Sequence, residues 1–166
     1  DEKDVQVPEG VRAIAPRAFY GNQTLESITL PAGLQEIGPE AFTECVALEG
    51  VVLPQGLIAI ANQSFMGCVS LKDITLPSTV NTVGDWAFAK SGLESITLPE
   101  GLHTVGDWAF LRCHNMVAVT LPASLKNISD SAFDSIAPEA LFTVEAGSAG
   151  EAWVQNSEYN YQVAGL

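Results

Sequence analysis

Six phenylalanines set the ruler of this chain. Phe19, Phe42, Phe65, Phe88, Phe110 and Phe133 follow one another at steps of 23, 23, 23, 22 and 23 residues. Six prolines, Pro8, Pro31, Pro54, Pro77, Pro99 and Pro122, keep the same steps, each behind a Leu or, once, a Val. Two independent markers in one phase define a structural repeat, and a unit of this size cannot bury its apolar edge alone. Neighbouring units must therefore stack into a solenoid. The one step of 22 comes from a shortened segment between Phe88 and Leu93.

Superposed, the copies share a template, which in the second reads Leu30-Pro31, Leu34, Ile37, Ala41-Phe42, Cys45, Leu48 and Val51-x-Leu53. The closing apolar-x-apolar element also occurs as Val5/Val7, Ile28/Leu30, Ile74/Leu76, Ile96/Leu98, Val119/Leu121 and Phe142/Val144, the alternation of a strand with one buried face. The Pro behind each of the first six has no N–H to donate, so it ends the strand and turns the chain. Segments such as Asp85-Trp86-Ala87-Phe88 predict a short helical or 3₁₀ turn, with Asp85, Asp107 and Asp130 capping its start. The Phe is the plug that this turn drives into the coil. Removing Phe65 should therefore cost more than removing Phe133, near an end.

In-phase recurrence of Leu-Pro, of Ile-Gly-x-x-Ala-Phe (Ile37 to Phe42) and of Cys-x-x-Leu (Cys45 to Leu48, Cys68 to Leu71) resembles the BspA-type leucine-rich repeats of bacterial and some protist surface proteins. The resemblance covers essentially the whole chain. It implies a right-handed α/β solenoid, a leucine-rich repeat superhelix of about six 22–23-residue repeats with short parallel strands and short helical turns. It also implies a secreted or cell-surface binding module, some members being implicated in adhesion to host proteins. One domain is expected over residues 1–166, with repeats over 5–147 and a capping segment over 148–166. In that segment Ala149, Ala152, Trp153, Tyr159 and Tyr161 suit a short amphipathic helix and a final extended piece over the last coil. The opening coil, with only Val5 and Val7 before its Pro, is partial. An N-terminus trimmed from a longer chain is the favoured account over a separate upstream domain or dimerisation. A monomer is expected, with end-to-end dimerisation through that coil as the alternative.

Charge narrows the partners. Twenty acidic residues against seven basic give a formal charge of −13, which disfavours nucleic acid and anionic membrane surfaces. No apolar run is long enough to span a bilayer, and Asp1-Glu2-Lys3-Asp4 is not the start of a signal peptide. The residues alone leave a cytoplasmic protein or one whose leader has been removed; the family resemblance implies the second, a secreted or cell-surface location.

Residues that usually carry chemistry fall on template positions. Cys45, Cys68 and Cys113 stand three residues after a Phe, where the first copy has Asn22 and the last Ile136, an inward position. Buried free thiols are expected. A Cys45–Cys68 disulfide is the alternative, since adjacent coils lie roughly 5 Å apart, whereas Cys113 is too distant to join. No CxxC or HxxxH spacing suggests zinc, and His103 and His114 read as surface residues outside any triad. Gly38, Gly84 and Gly106 read as turn glycines. Asp85, Asp107 and Asp130 form one acidic column and Glu26, Glu49 and Glu94 another; a weak calcium site on the first is a minor alternative. Of three glycosylation sequons, at Asn22, Asn62 and Asn127, the first reads as a coincidence of the template. No cofactor, metal or catalytic residue is assigned.

Two surface features remain. Trp86 and Trp108 occupy the position just before Ala-Phe in adjacent coils, an aromatic pair able to form a contact patch. The outward strand positions, including Ser27, Thr29, Asp73, Thr75, Ser95, Thr97, Thr120 and Thr143, make a flat, Thr-lined face with few ionisable groups. Such a face recognises a partner by area and supplies no acid, base or nucleophile. The leading expectation is a non-enzymatic protein-interaction or adhesion module, its partner a host matrix or cell-surface protein. A structural spacer without a ligand is the alternative, and a carbohydrate-active enzyme working through Asp107 the most remote.

Overall fold

The apolar-x-apolar triplets do form one stack of parallel strands. The computed structural model describes residues 2–165; Asp1 and Leu166, the ends of the expected domain, lie outside the described residues. The chain winds into a parallel β-solenoid of about seven turns. One strand opens each coil: Asp4–Gln6, Ser27–Thr29, Gly50–Val51, Ser95–Thr97, Ala118–Thr120 and Leu141–Val144, with residues 73–76 in the equivalent place. Residues one repeat apart pair, such as Val5 with Ile28 and Val119 with Phe142. A second, two-residue strand follows each Pro turn, at Ala13–Ile14, Glu36–Ile37, Ala59–Ile60, Thr82–Val83, Thr104–Val105 and Asn127–Ile128. Its inward Ile or Val is the template residue six places after the Pro.

The turn around each Phe is not helical. Alternate amides do donate to the carbonyl three residues back, as Ala41 to Gly38, Thr43 to Glu40 and Cys45 to Phe42. The amides between them donate instead to the next coil: Glu40 to Asn62, Phe42 to Ser64 and Glu44 to Met66, at 2.7 to 3.0 Å. This ribbon needs positive φ just before Ala-Phe and again two residues after the Phe, as at Glu40 (57°) and Glu44 (59°). A residue with positive φ in third place is the signature of a type II turn, and it breaks any helical run. The helical expectation thus held for half of the hydrogen bonds and failed for the half that tie coils together.

Inside the ribbon the phenylalanine rings stack, Phe19 to Phe133, at centroid spacings of 4.8 to 5.5 Å and within 10° of parallel. At the C-terminal end Ser148 caps the helix Ala149–Gln155 by accepting from the Glu151 amide, while Glu151 reaches back to the Gly147 amide. Trp153 then packs on Phe133 and Phe142, and the Tyr159 hydroxyl donates to the Phe133 carbonyl at 2.6 Å. A last strand, Asn160–Val163, pairs with Leu141–Val144. Phe133 is consequently buried, so burial does not set it apart from Phe65 as the expectation of a smaller cost supposed. The exposed end of the stack is Phe19, which like Val5, Val7 and Val11 is only half-buried.

Candidate binding surface

The row of opening strands is interrupted once. One sheet holds the strands of the first three coils, another those of the fifth to seventh plus the closing strand, and Asp73–Leu76 between them joins neither. Among the described residues its amides and carbonyls have no backbone hydrogen-bond partner, although Ile74 and Leu76 still point into the core. Clefts open on both sides. One of about 320 Å³ lies between Asp73–Leu76 and Ser95–Thr97, the other of about 310 Å³ between it and Val51–Leu53. The irregular coil, residues 73–94, is the one that is a residue short.

Of the residues expected on the binding face, the structure brings Asp73, Thr75, Ser95 and Thr97 around one cleft, all exposed. Val52, 83% exposed, replaces Thr in the second cleft. Thr29 and Thr120 extend the row away from the clefts. Ser27 is engaged by the Asp4 carboxylate, and Thr143 accepts a hydrogen bond from the Gln162 amide of the closing strand, so both ends of the face are already satisfied. Four of the ten expected surface residues thus sit together at its centre and the other six do not, a grouping that strand alternation alone does not reveal.

Trp86 and Trp108 do contact each other, with centroids 5.1 Å apart and planes at 37°. They sit on the turn ribbon rather than on the strand face, at φ of 58° and 54°. A bulky residue in that region costs of order 1 kcal/mol or more, which the ribbon's cross-coil bonds impose. Trp108 is 38% exposed and Trp86 more covered.

The remaining candidates resolve into packing. Cys45, Cys68 and Cys113 are buried free thiols, each donating to the carbonyl of the Phe in the preceding coil, Phe19, Phe42 and Phe88 at 3.1 to 3.2 Å. Burial holds the thiols of Cys45 and Cys113 up at about 11 and pushes Cys68 higher still. Asn22, at the same position, accepts from the amides of Thr24 and Leu25 instead. The acidic column is not a row of caps for its own turns. Asn62 accepts from the amide of Asp85, Asp85 from the amide of Asp107, and Asp107 from the Ser129 hydroxyl, each bond crossing to the next coil. Among the described residues no three His, Cys, Asp or Glu side chains come together as metal ligands. Gly38 and Gly106 are needed for closeness rather than for their φ. A Cβ at Gly38 would lie 2.6 Å from the Pro16 nitrogen, and one at Gly106 would lie 2.9 Å from the Asp85 nitrogen. No helix is long and apolar enough to cross a membrane among the described residues.

Parallel coils of this length, an inward Leu, Ile and Phe ladder and an asparagine- or cysteine-lined turn define a leucine-rich repeat protein. The family model for the BspA type leucine-rich repeat region matches in six copies, over residues 2–89 and 35–146. The chain belongs to that family. Among solved structures it is similar to the leucine-rich repeat protein of T. pallidum, at 32% identity and a TM-score of 0.79, over 84% of this chain and 68% of that one. A leucine-rich repeat protein from Bacteroides ovatus matches at 25% identity and a TM-score of 0.72, over 87% of this chain and 48% of its own. The pneumococcal vaccine antigen PcpA shares the fold, at 21% identity and a TM-score of 0.79, over 100% of this chain and 42% of its own. The chain thus spans about half the length of two of these three proteins. No curated protein sequence matches it.

Proposed function

We propose that this chain is a protein-interaction module of a secreted or cell-surface protein, binding through the strand face at its fourth coil. The observation that carries the reading is the unladdered segment Asp73–Leu76 with a cleft on each side. Around these clefts the outward side chains of Thr75, Ser95 and Thr97 are exposed and offer a partner contact area. Family membership supports an interaction role, and one structural neighbour is described as a vaccine antigen. The face brings no nucleophile beside a base, so binding rather than catalysis is its chemistry.

The test is capture of host matrix proteins by the immobilised chain. Thr75→Arg combined with Thr97→Arg should abolish capture while leaving the circular dichroism spectrum unchanged, and Trp86→Ala with Trp108→Ala should leave capture intact. Loss only in the tryptophan variant would move the binding surface to the turn ribbon. No capture by the unaltered chain would favour the spacer reading.

A further inference from the structure

The short step at Phe88 has a second consequence. Other coils bridge ribbon and strand with Cys-x-x-Leu or its equivalent, whereas the fourth does so with Ser91-Gly92-Leu93. The missing residue draws the chain inward, and a Cβ at Gly92 would collide with the Val69 carbonyl. A notch of about 390 Å³ results, walled by Val69 on one side and by His114 and Asn115 on the other. Lys90 and Arg112 stand over it, brought to neighbouring coils by the bond from the Lys90 amide to the Leu111 carbonyl.

Its charge is opposite to that of the molecule. The chain has 20 acidic residues and 7 Lys or Arg, yet among the described residues no carboxylate lines the notch. Among the described residues the ion pairs are Lys3–Glu26, Arg17–Glu40 and Lys72–Glu94, so Lys90 and Arg112 are in none. Two exposed cations that join no ion pair line this concavity together with an imidazole and a carboxamide, a lining suited to an oxyanion, and guanidinium meets a carboxylate through two parallel hydrogen bonds.

We propose that this notch binds one carboxylate carried on a sugar ring, a uronic-acid type of ligand. A polyanion is disfavoured because the rest of the chain, with 20 acidic residues against the 5 Lys or Arg other than Lys90 and Arg112, carries a formal charge of −15 that opposes every charge beyond those two cations neutralise. The notch, of about 390 Å³, has room for more than a bare anion. Asn115 and His114 offer both donors and acceptors to ring hydroxyls, and Val69, 57% exposed, offers an apolar wall. The proposal is independent of the strand face, and either can fail alone.

The experiment is an amide-resolved NMR titration of the whole chain with D-glucuronate, D-glucose and N-acetyl-aspartate amide. Glucuronate should shift the amides of Gly92, Arg112 and His114 with a dissociation constant on the order of millimolar. Binding should weaken as ionic strength shortens the screening length from about 30 to about 3 Å. Glucose should leave those amides unmoved, and N-acetyl-aspartate amide should bind at least about tenfold more weakly than glucuronate. Lys90→Gln with Arg112→Gln, both at exposed positions, should weaken glucuronate at least about tenfold without disturbing the remaining spectrum. Equal shifts with glucose, equal affinity for the aspartate derivative, an unchanged constant in the double variant, or no shift at all would each overturn the assignment.

Discussion

The turn ribbon and the strand face run the length of the same solenoid, yet they hold it together differently. On the ribbon every coil from the first to the fifth is bonded to the next by its own amides, at 2.7 to 3.1 Å, around the continuous stack of phenylalanines. On the strand face the ladder stops on both sides of Asp73–Leu76, and the second strands also break, between Glu36–Ile37 and Ala59–Ile60. The ribbon is bonded between every pair of these coils, whereas the ladders are interrupted both beside the short coil and between two full-length ones. A solenoid tolerates this because each coil answers only to its neighbours, so a gap on one edge does not propagate around the coil.

Hydrogen exchange probes that contrast directly. The amides of Phe42, Phe65 and Phe88 should exchange more slowly than those of Ile74, Thr75 and Leu76 by roughly 10³-fold, the equivalent of about 4 kcal/mol of extra opening cost. Equal protection would mean that the face is closed in solution and the clefts are not open backbone. Next in size, Phe65→Ala should lower unfolding stability by about 3–5 kcal/mol in a denaturant titration, and Phe19→Ala, at the half-buried end, by distinctly less. Equal losses would deny that the stack is graded from its open end to its capped one.

Gly92→Ala, forced against the Val69 carbonyl, should destabilise by about 1–3 kcal/mol, whereas Gly50→Ala meets open space on the strand face and should be close to neutral. A neutral Gly92→Ala would show the short coil to be slack rather than tight. The last effect is one of pH. Unfolded thiols ionise near 8.5, whereas Cys45 and Cys113 are held at about 11 and Cys68 is raised further. The unfolded chain therefore binds fewer protons than the native one in that window, and stability should fall as pH climbs from about 8.5 towards 11. Thermal melts across that range should show the decline, and Cys68→Ala should flatten it.

Much of this was legible in the chain itself. Phe, Pro and the apolar-x-apolar triplets recur at fixed spacing because each coil must present the same side chains to the same neighbours, so the period, the strands, the inward cysteines and the capping segment could be read locally. The turn ribbon could not. Alternating bonds to the next coil are long-range, and residues such as Glu40 and Trp86 accept a positive φ that their own preferences disfavour. The acidic column misled in the same way, because Asp85 satisfies a donor one coil away rather than its own turn. The expected face was visible as a row of threonines, but its gap was not.

Sequence alone determined the repeat, its length and which side chains face inward, since those follow from a periodic apolar pattern that must be buried. Only tertiary structure decided what the one missing residue does. A deletion of a single residue within a coil can be absorbed anywhere between two ladders, and stacking against residues 45–72 and 95–116 placed it as a notch at Gly92.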